Sequence, residues 1–194
     1  MIIKAQNLKV AIATAAYMLF FTAFYIIGEN YEFLLHVFVL LSFASLILYS
    51  DRKVNYPVWM LWALSLWGFL HMTGGAMYIG ETRLYELMLV PLSQALNLFR
   101  YDQALHAYGF GVTTLVFHYI IGRPKITPAI GIVVVMAGTG AGALYEIIEF
   151  LVSLVVLQHG IGGYINNSMD LIFNFIGALL ALALIKWKGF DTGK

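Results

Sequence analysis

The chain contains no cysteine, only four prolines and little charge. Asp, Glu, Lys and Arg make up 11% of its 194 residues, against about 25% in an average soluble domain. Without cysteine there is no disulfide, no thiolate metal ligand and no thiol nucleophile. So little charge cannot clothe a soluble globule, and such high hydrophobicity excludes a disordered chain. Eleven basic and ten acidic residues give a net charge of +1, which leaves no basic face for nucleic acid. No phosphate-cradling loop is present either. Gly138-Thr139-Gly140-Ala141-Gly142 lies inside an apolar run, with no Lys-Ser or Lys-Thr after it. What remains is apolar: 61% of the residues are hydrophobic and the mean hydropathy is +0.84. The expected solvent is a lipid bilayer, and membrane lipids are the expected partners.

A helix needs about 20 mostly apolar residues to cross a bilayer. Six stretches qualify: Leu8–Gly28, Tyr31–Tyr49, Tyr56–Gly74, Asp102–Ile121, Ala129–Leu157 and Met169–Trp187. The first is too long, and lacks the small-residue cleavage site, for a cleavable signal peptide. The predicted fold is therefore all-α, a single polytopic domain of six transmembrane helices covering 1–194. Basic residues orient it. Lys4, Lys9, Arg52, Lys53, Arg123, Lys125, Lys186, Lys188 and Lys194 fall on one side, Arg83 and Arg100 on the other. That alternation puts both termini in the cytoplasm of a plasma (inner) membrane protein. A homo-oligomer is compatible with this pattern.

Between the third and fourth spans, 82–101 is not polar enough for a plain loop. Leu84, Leu87, Met88, Leu92, Ala95, Leu96 and Phe99 recur at helical spacing, with Arg83, Glu86, Gln94 and Asn97 between them. Pro91 breaks the run and Ser93 is placed to cap a second piece. An interfacial amphipathic element on the outer face is expected, a seventh span being the alternative. Gly138, Gly140 and Gly142 lie on more than one helix face, so either close packing on two sides or a loosened helix is expected.

The ionisable residues inside the runs carry the functional signal. No Lys or Arg lies well inside a span, yet His36, His71, Asp102, His106, His118, Glu146, Glu149 and Asp170 do. A charge in the bilayer interior costs at least about 2.5–3.5 kcal/mol, so these acids must be neutral, wet or metal-bound. Threading the alternating spans places His71, Asp102, His106, Glu146, Glu149 and Asp170 in one outer layer. Asp102/His106, Glu146/Glu149 and Asp170/Asn174 each share a helix face by their spacing. Four carboxylates and two imidazoles equal in number the ligand set of carboxylate-bridged two-metal sites in helix bundles, though not their Glu-x-x-His spacing. Mixed N/O ligation suits Zn, Mn or Fe(II). His36 and His118 read as packing residues, and Tyr108 and Tyr145 as donors near the site. Arg83 and Arg100 can fold over the cluster and, with Asn174, hold an anionic substrate.

Tyr101-Asp102-Gln103-Ala104-Leu105-His106, Glu146-Ile147-Ile148-Glu149-Phe150, and Asp170-Leu171-Ile172-Phe173-Asn174-Phe175-Ile176-Gly177-Ala178 carry a resemblance, joined by His71-Met72-Thr73-Gly74-Gly75. In order and spacing they resemble YjdF-type inner-membrane proteins and, more loosely, VanZ-like membrane proteins. Where the VanZ-like pattern tends to place a glutamine, this chain has Glu149. The resemblance covers roughly Tyr56 to Trp187. It implies the helical membrane fold and the polar positions, not a reaction.

Three functions compete on these residues. The first is an intramembrane metal-dependent hydrolase or transferase open to the outer leaflet. It would act on a lipid or lipid-linked substrate, with Glu149, Asp170 and His106 at the chemistry. The second is a proton or divalent-cation transporter, which requires polar groups continuing to the cytoplasmic side. The third is a non-catalytic envelope factor whose polar cluster locks the bundle.

Overall fold

The computed structural model describes residues 4–93, 98–156 and 163–188. Six long helices dominate them: α1 (Leu8–Ile27), α2 (Tyr31–Val54), α3 (Val58–Ala76), α4 (Tyr101–Ile120), α5 (Pro128–Val155) and α6 (Tyr164–Lys188). Local chemistry sets the ends. Asn30 caps α2 by accepting from Phe33 N at 3.1 Å, and Asn55 closes it in the left-handed conformation at φ 56°. Thr127 caps α5, with Pro128 in the first helical position where no N–H is needed.

Successive helices run in opposite directions. Tyr101 on α4 bonds Leu70 O while Tyr108, further along, bonds Ala63 O, so α3 and α4 are antiparallel. His106 pairs with Asn174, and Ala107 meets Gly177, so α4 and α6 run side by side in the same direction. The bundle thereby gathers the end of α1, the start of α2, the end of α3, the start of α4, the end of α5 and the start of α6 at one pole.

Four helices, α1 with its preceding turn, α2, α5 and α6, are long and apolar enough to cross a membrane. They expose large hydrophobic side chains, among them Leu19, Phe20, Ile27, Phe38, Leu154 and Leu180. Apolar surface on this scale needs a lipid environment. Helix α4 falls outside that group for a structural reason. Helix α4 lies between α3, α5 and α6 and buries Asp102, Gln103, His106, Thr114 and His118 against protein.

The segment 82–101 differs from its helical spacing. It follows β1 (Tyr78–Ile79) and contains β2 (Thr82–Arg83), a 3₁₀ turn (Leu84–Glu86), β3 (Met88–Ser93) and β4 (Leu98–Arg100), with β1–β2 and β3–β4 each antiparallel. Pro91 explains the change. It cannot donate within a helix interior, but it is tolerated in a two-stranded edge ladder. Ser93 ends β3; Gln94, Ala95, Leu96 and Asn97, where the piece Ser93 was placed to cap would begin, lie outside the described residues.

The glycine series on α5 packs on two sides of an unbroken helix. A Cβ at Gly138 would meet Thr114 of α4, and one at Gly142 would meet Asn174 of α6. Helix α2 runs past its expected end because Asp51 turns inward. The Asp51 carboxylate accepts from Asn7 Nδ2 and Tyr56 N, both at 2.9 Å, and lies 3.0 Å from Lys4 Nζ. Asp51→Ala leaves the buried Tyr56 N–H without an acceptor. It should cost about 2 kcal/mol, read as a lower melting temperature in detergent.

Candidate functional site

The gathered pole holds two connected polar groups. The first is built by α4, α5 and α6. His106 Nδ1 lies 3.2 Å from Glu146 Oε1 and 3.0 Å from Asn174 Oδ1. Ligating atoms of His106, Glu146 and Asp170 all fall within 4.8 Å of one another. Each member is held by a different asparagine of α6. Asn174 faces His106, Asn167 donates to Glu146 Oε2 at 2.7 Å, and Asn166 donates to Asp170 Oδ2 at 2.6 Å. Such outer partners fix side-chain orientation around a metal centre.

The three are almost fully buried, and Glu146 Oε1, Asp170 Oδ1 and Asn174 Nδ2 have no hydrogen-bond partner. Glu146 Oε1 lies 3.2 Å from the His106 ring nitrogen. Two buried carboxyl oxygens without hydrogen-bond partners, sharing one small space with an imidazole, form a donor set that suits a divalent cation. The residues present therefore fit a metal.

Asp102 sits at the rim, 3.7 Å from Arg100 Nη2, and accepts from Gln103 N at 2.7 Å. Arg100 also donates to Asn166 Oδ1 at 2.6 Å. Arg100 is the N-cap, and Gln103 closes a capping box by accepting from Phe99 N and Arg100 N. Asp102 is thus no cap, and Asp170 lies in the second turn of α6 rather than at its start. Phe99 enters α4 with φ 75°, a strained conformation for an aromatic residue that recurs beside functional sites.

The second group belongs to α2, α3 and α5. Tyr145 OH lies 2.9 Å from both His36 Nδ1 and His71 Nε2, and His71 Nδ1 lies 3.3 Å from Tyr85 OH. A hydroxyl has one proton, so Tyr145 donates to one imidazole and accepts from the other. The Tyr85 phenol outside the helices is held well above its ordinary pKa, by burial and then by the Glu149 carboxylate. Tyr85 therefore stays neutral. Tyr145→Phe removes the shared hydroxyl from two buried rings. It should lower stability by about 1–3 kcal/mol while leaving the helix content intact, measured by thermal unfolding and circular dichroism.

The structure divides the set expected from sequence. It brings His106, Glu146 and Asp170 together, with Asp102 at their rim. Glu149 is buried within electrostatic range of Glu146, Asp170, Asp102 and Glu32. His71 departs from the single ligand set, because both its ring nitrogens face phenols. Arg83 is engaged elsewhere, 3.1 Å from Glu32 and over the Phe33 ring. His36 is no isolated packing residue but part of the second group, signalled in sequence only by Glu32 one turn earlier. His118 packs far away against Pro124 O, and Tyr108 points to Ala63. Asn166 and Asn167 join the site through these bonds, and their place beside Asp170 is the only sequence signal for it.

These features define a multi-pass helical membrane protein with a buried His/Glu/Asp group at one pole. The chain belongs to the family described as "Predicted membrane protein (DUF2238)", whose model matches residues 8–188; this is the YjdF-type group its motifs resemble. Comparison with curated proteins and with solved structures returned no match.

Proposed function

We propose that the protein is a six-span plasma-membrane enzyme that holds a divalent metal at His106, Glu146 and Asp170. It acts on a lipid or lipid-linked substrate from the outer leaflet, with both termini cytoplasmic. The observation that carries this reading is the pair of donorless carboxylate oxygens, Glu146 Oε1 and Asp170 Oδ1, beside the His106 ring in a buried space. Zn, Mn or Fe(II) would suit that ligand set. When bound, the ion would polarise a phosphoryl or acyl oxygen and lower the pKa of a bound water.

The chain's own residues supply the rest. Asn166, Asn167 and Asn174 hold the three ligands in place. Glu149 lies one turn along α5 from Glu146 and outside the triad, where it can serve as general base. Arg100 at the rim, with Asn174 beneath, can hold an anionic headgroup. The centre is closed over, each of its acids being at most 5% exposed, so the substrate enters by displacement of the elements at 78–93 and 98–100.

Translocation is disfavoured by what lies beyond the centre. Toward the other pole the described helices pack into an apolar cluster of Val10, Met60, Val112, Val116, Val134 and Ile185, which offers ions no path. The test is lipid mass spectrometry on vesicles of native lipid containing the metal-replete protein. Headgroup or acyl release is expected, stopped by chelator and by Glu149→Gln. Cation flux into sealed vesicles, with no lipid turned over, would overturn the enzyme reading.

A further inference from the structure

The run His71-Met72-Thr73-Gly74-Gly75 closes α3, and the reaction proposed above uses none of it. Glycine costs a helix about 1 kcal/mol relative to alanine, so two in the last turn need a packing reason. A Cβ on Gly74 would stand 2.7 Å from the Tyr85 ring, and one on Gly75 would overlap the Phe33 ring. With His71 these residues form a socket that Tyr85 fills. The Tyr85 ring lies edge to face with the His71 ring at 5.2 Å, and 6.0 Å from that of Phe33. Its hydroxyl reaches His71 Nδ1 at 3.3 Å. The same phenol is within electrostatic range of Glu149, Asp102 and Asp170, so it stands over the closed centre.

Tyr85 belongs to the loop 78–86, made of the β1–β2 hairpin and the 3₁₀ turn that follows it. The ends of the loop are fixed. Met77 N donates to Thr73 O at 3.0 Å, and Tyr101 N donates to Leu87 O at 2.9 Å. Between them Leu84 N donates to Met77 O at 2.8 Å, and Ile79 pairs with Thr82, so the loop keeps its shape as a unit. Little fastens that unit to the helices. Tyr78, Ile79, Gly80, Glu81, Thr82 and Glu86 are exposed, while Arg83, Leu84 and Tyr85 are half-buried. Arg83 Nη1 lies 3.1 Å from Glu32 Oε2 in the first turn of α2, with its guanidinium 5.5 Å over the Phe33 ring. A cover held chiefly by polar contacts, burying little apolar surface, belongs to the low-stability end of a structure and opens locally.

We propose that the loop 78–86 is a gate over the polar centre, with Tyr85 as its plug and the Arg83–Glu32 pair as its latch. The gate rests on the reading that a substrate enters at this pole, and it names the part of the cover that moves first. Closed, Tyr85 bonds His71 and seals the acids beneath it. Open, the loop swings about Met77 and Leu87, Arg83 leaves Glu32, and the socket is vacated.

The test is labelling of imidazoles by diethyl pyrocarbonate in the full chain, reconstituted in vesicles, with each site read by mass spectrometry. No metal is added, so the outcome does not depend on the metal reading, whose own failure shows as zero metal on elemental analysis. In the parent, His71 is 1% exposed and both its ring nitrogens face phenols, so its labelling should follow opening of the loop. Arg83 stands over Phe33 rather than His71, and Arg83→Gln leaves the plug itself in place. Removing the cation of a largely buried pair should still raise the rate at His71 by about tenfold or more. Gly74→Ala, whose Cβ pushes on the Tyr85 ring, should act in the same direction, and Tyr85→Ala, which empties the socket, should raise the rate furthest. His118, wholly buried far from this pole, is the control and should label at the parent's rate in all three variants. An unchanged rate at His71 in Arg83→Gln overturns the gate. A rise at His118 equal to that at His71 in every variant shows the whole bundle loosening and overturns it as well.

Discussion

Purified in mild detergent and supplied with Zn²⁺ or Mn²⁺, the protein is expected to retain about one equivalent of metal per chain, and Glu146→Gln to retain less than a tenth of it. The substitution keeps the side chain's shape but removes its charge. It also replaces one unpartnered oxygen facing His106 and Asp170 with an amide group. Losing even an outer-sphere partner typically costs 10–100-fold in metal affinity, so losing a charged ligand should cost roughly 100-fold or more. Asn167→Ala, which removes the partner holding Glu146 Oε2, should fall between the two. Elemental analysis after desalting reads all three. Metal content that is zero in the parent protein, or equal in parent and Glu146→Gln, would leave the centre a structural lock.

The second large effect is expected at Gly177. Here α4 and α6 approach so closely that a Cβ on Gly177 would stand 2.0 Å from the carbonyl oxygen of Ala107. The obstacle is backbone, so no rotamer change relieves it, and the helices must separate. Gly177→Val should therefore destabilise by about 3 kcal/mol, lowering the melting temperature by roughly 6–12 °C. Most metal binding should be lost with it, because α6 carries Asp170 and all three asparagines that hold the triad. Gly140→Ala is the contrast. Nothing lies within 4 Å of a Cβ there, and alanine favours the helix by about 1 kcal/mol, so stability should be unchanged or higher. Equal melting of Gly177→Val and the parent would refute the close α4–α6 contact.

The two predictions test different links. Glu146→Gln asks whether the pole binds a cation while leaving the bundle alone. Gly177→Val asks whether the bundle is what assembles the pole. If the first fails and the second holds, the packing is right and the chemistry is wrong.

Much of this was legible from the chain alone. Apolar runs of about 20 residues identified all six helices to within a few residues, because the length of a bilayer-sized helix is a local property. The alternation of those runs also placed His71, Asp102, His106, Glu146, Glu149 and Asp170 at one pole, since helices that reverse at every turn fix which ends meet. The segment 82–101 misled because its hydrophobic spacing fits a helix, while the cost of Pro91 and the pairing of Met88 with Arg100 depend on how the strands meet. Only the tertiary structure could divide the polar residues into a His106–Glu146–Asp170 group and a His36–Tyr145–His71–Tyr85 chain. Spacing along a helix fixes which side chains share a face. Which face meets which neighbour is decided by close approaches such as Gly142 on Asn174 and Gly177 on Ala107, and these exist only once the helices have packed.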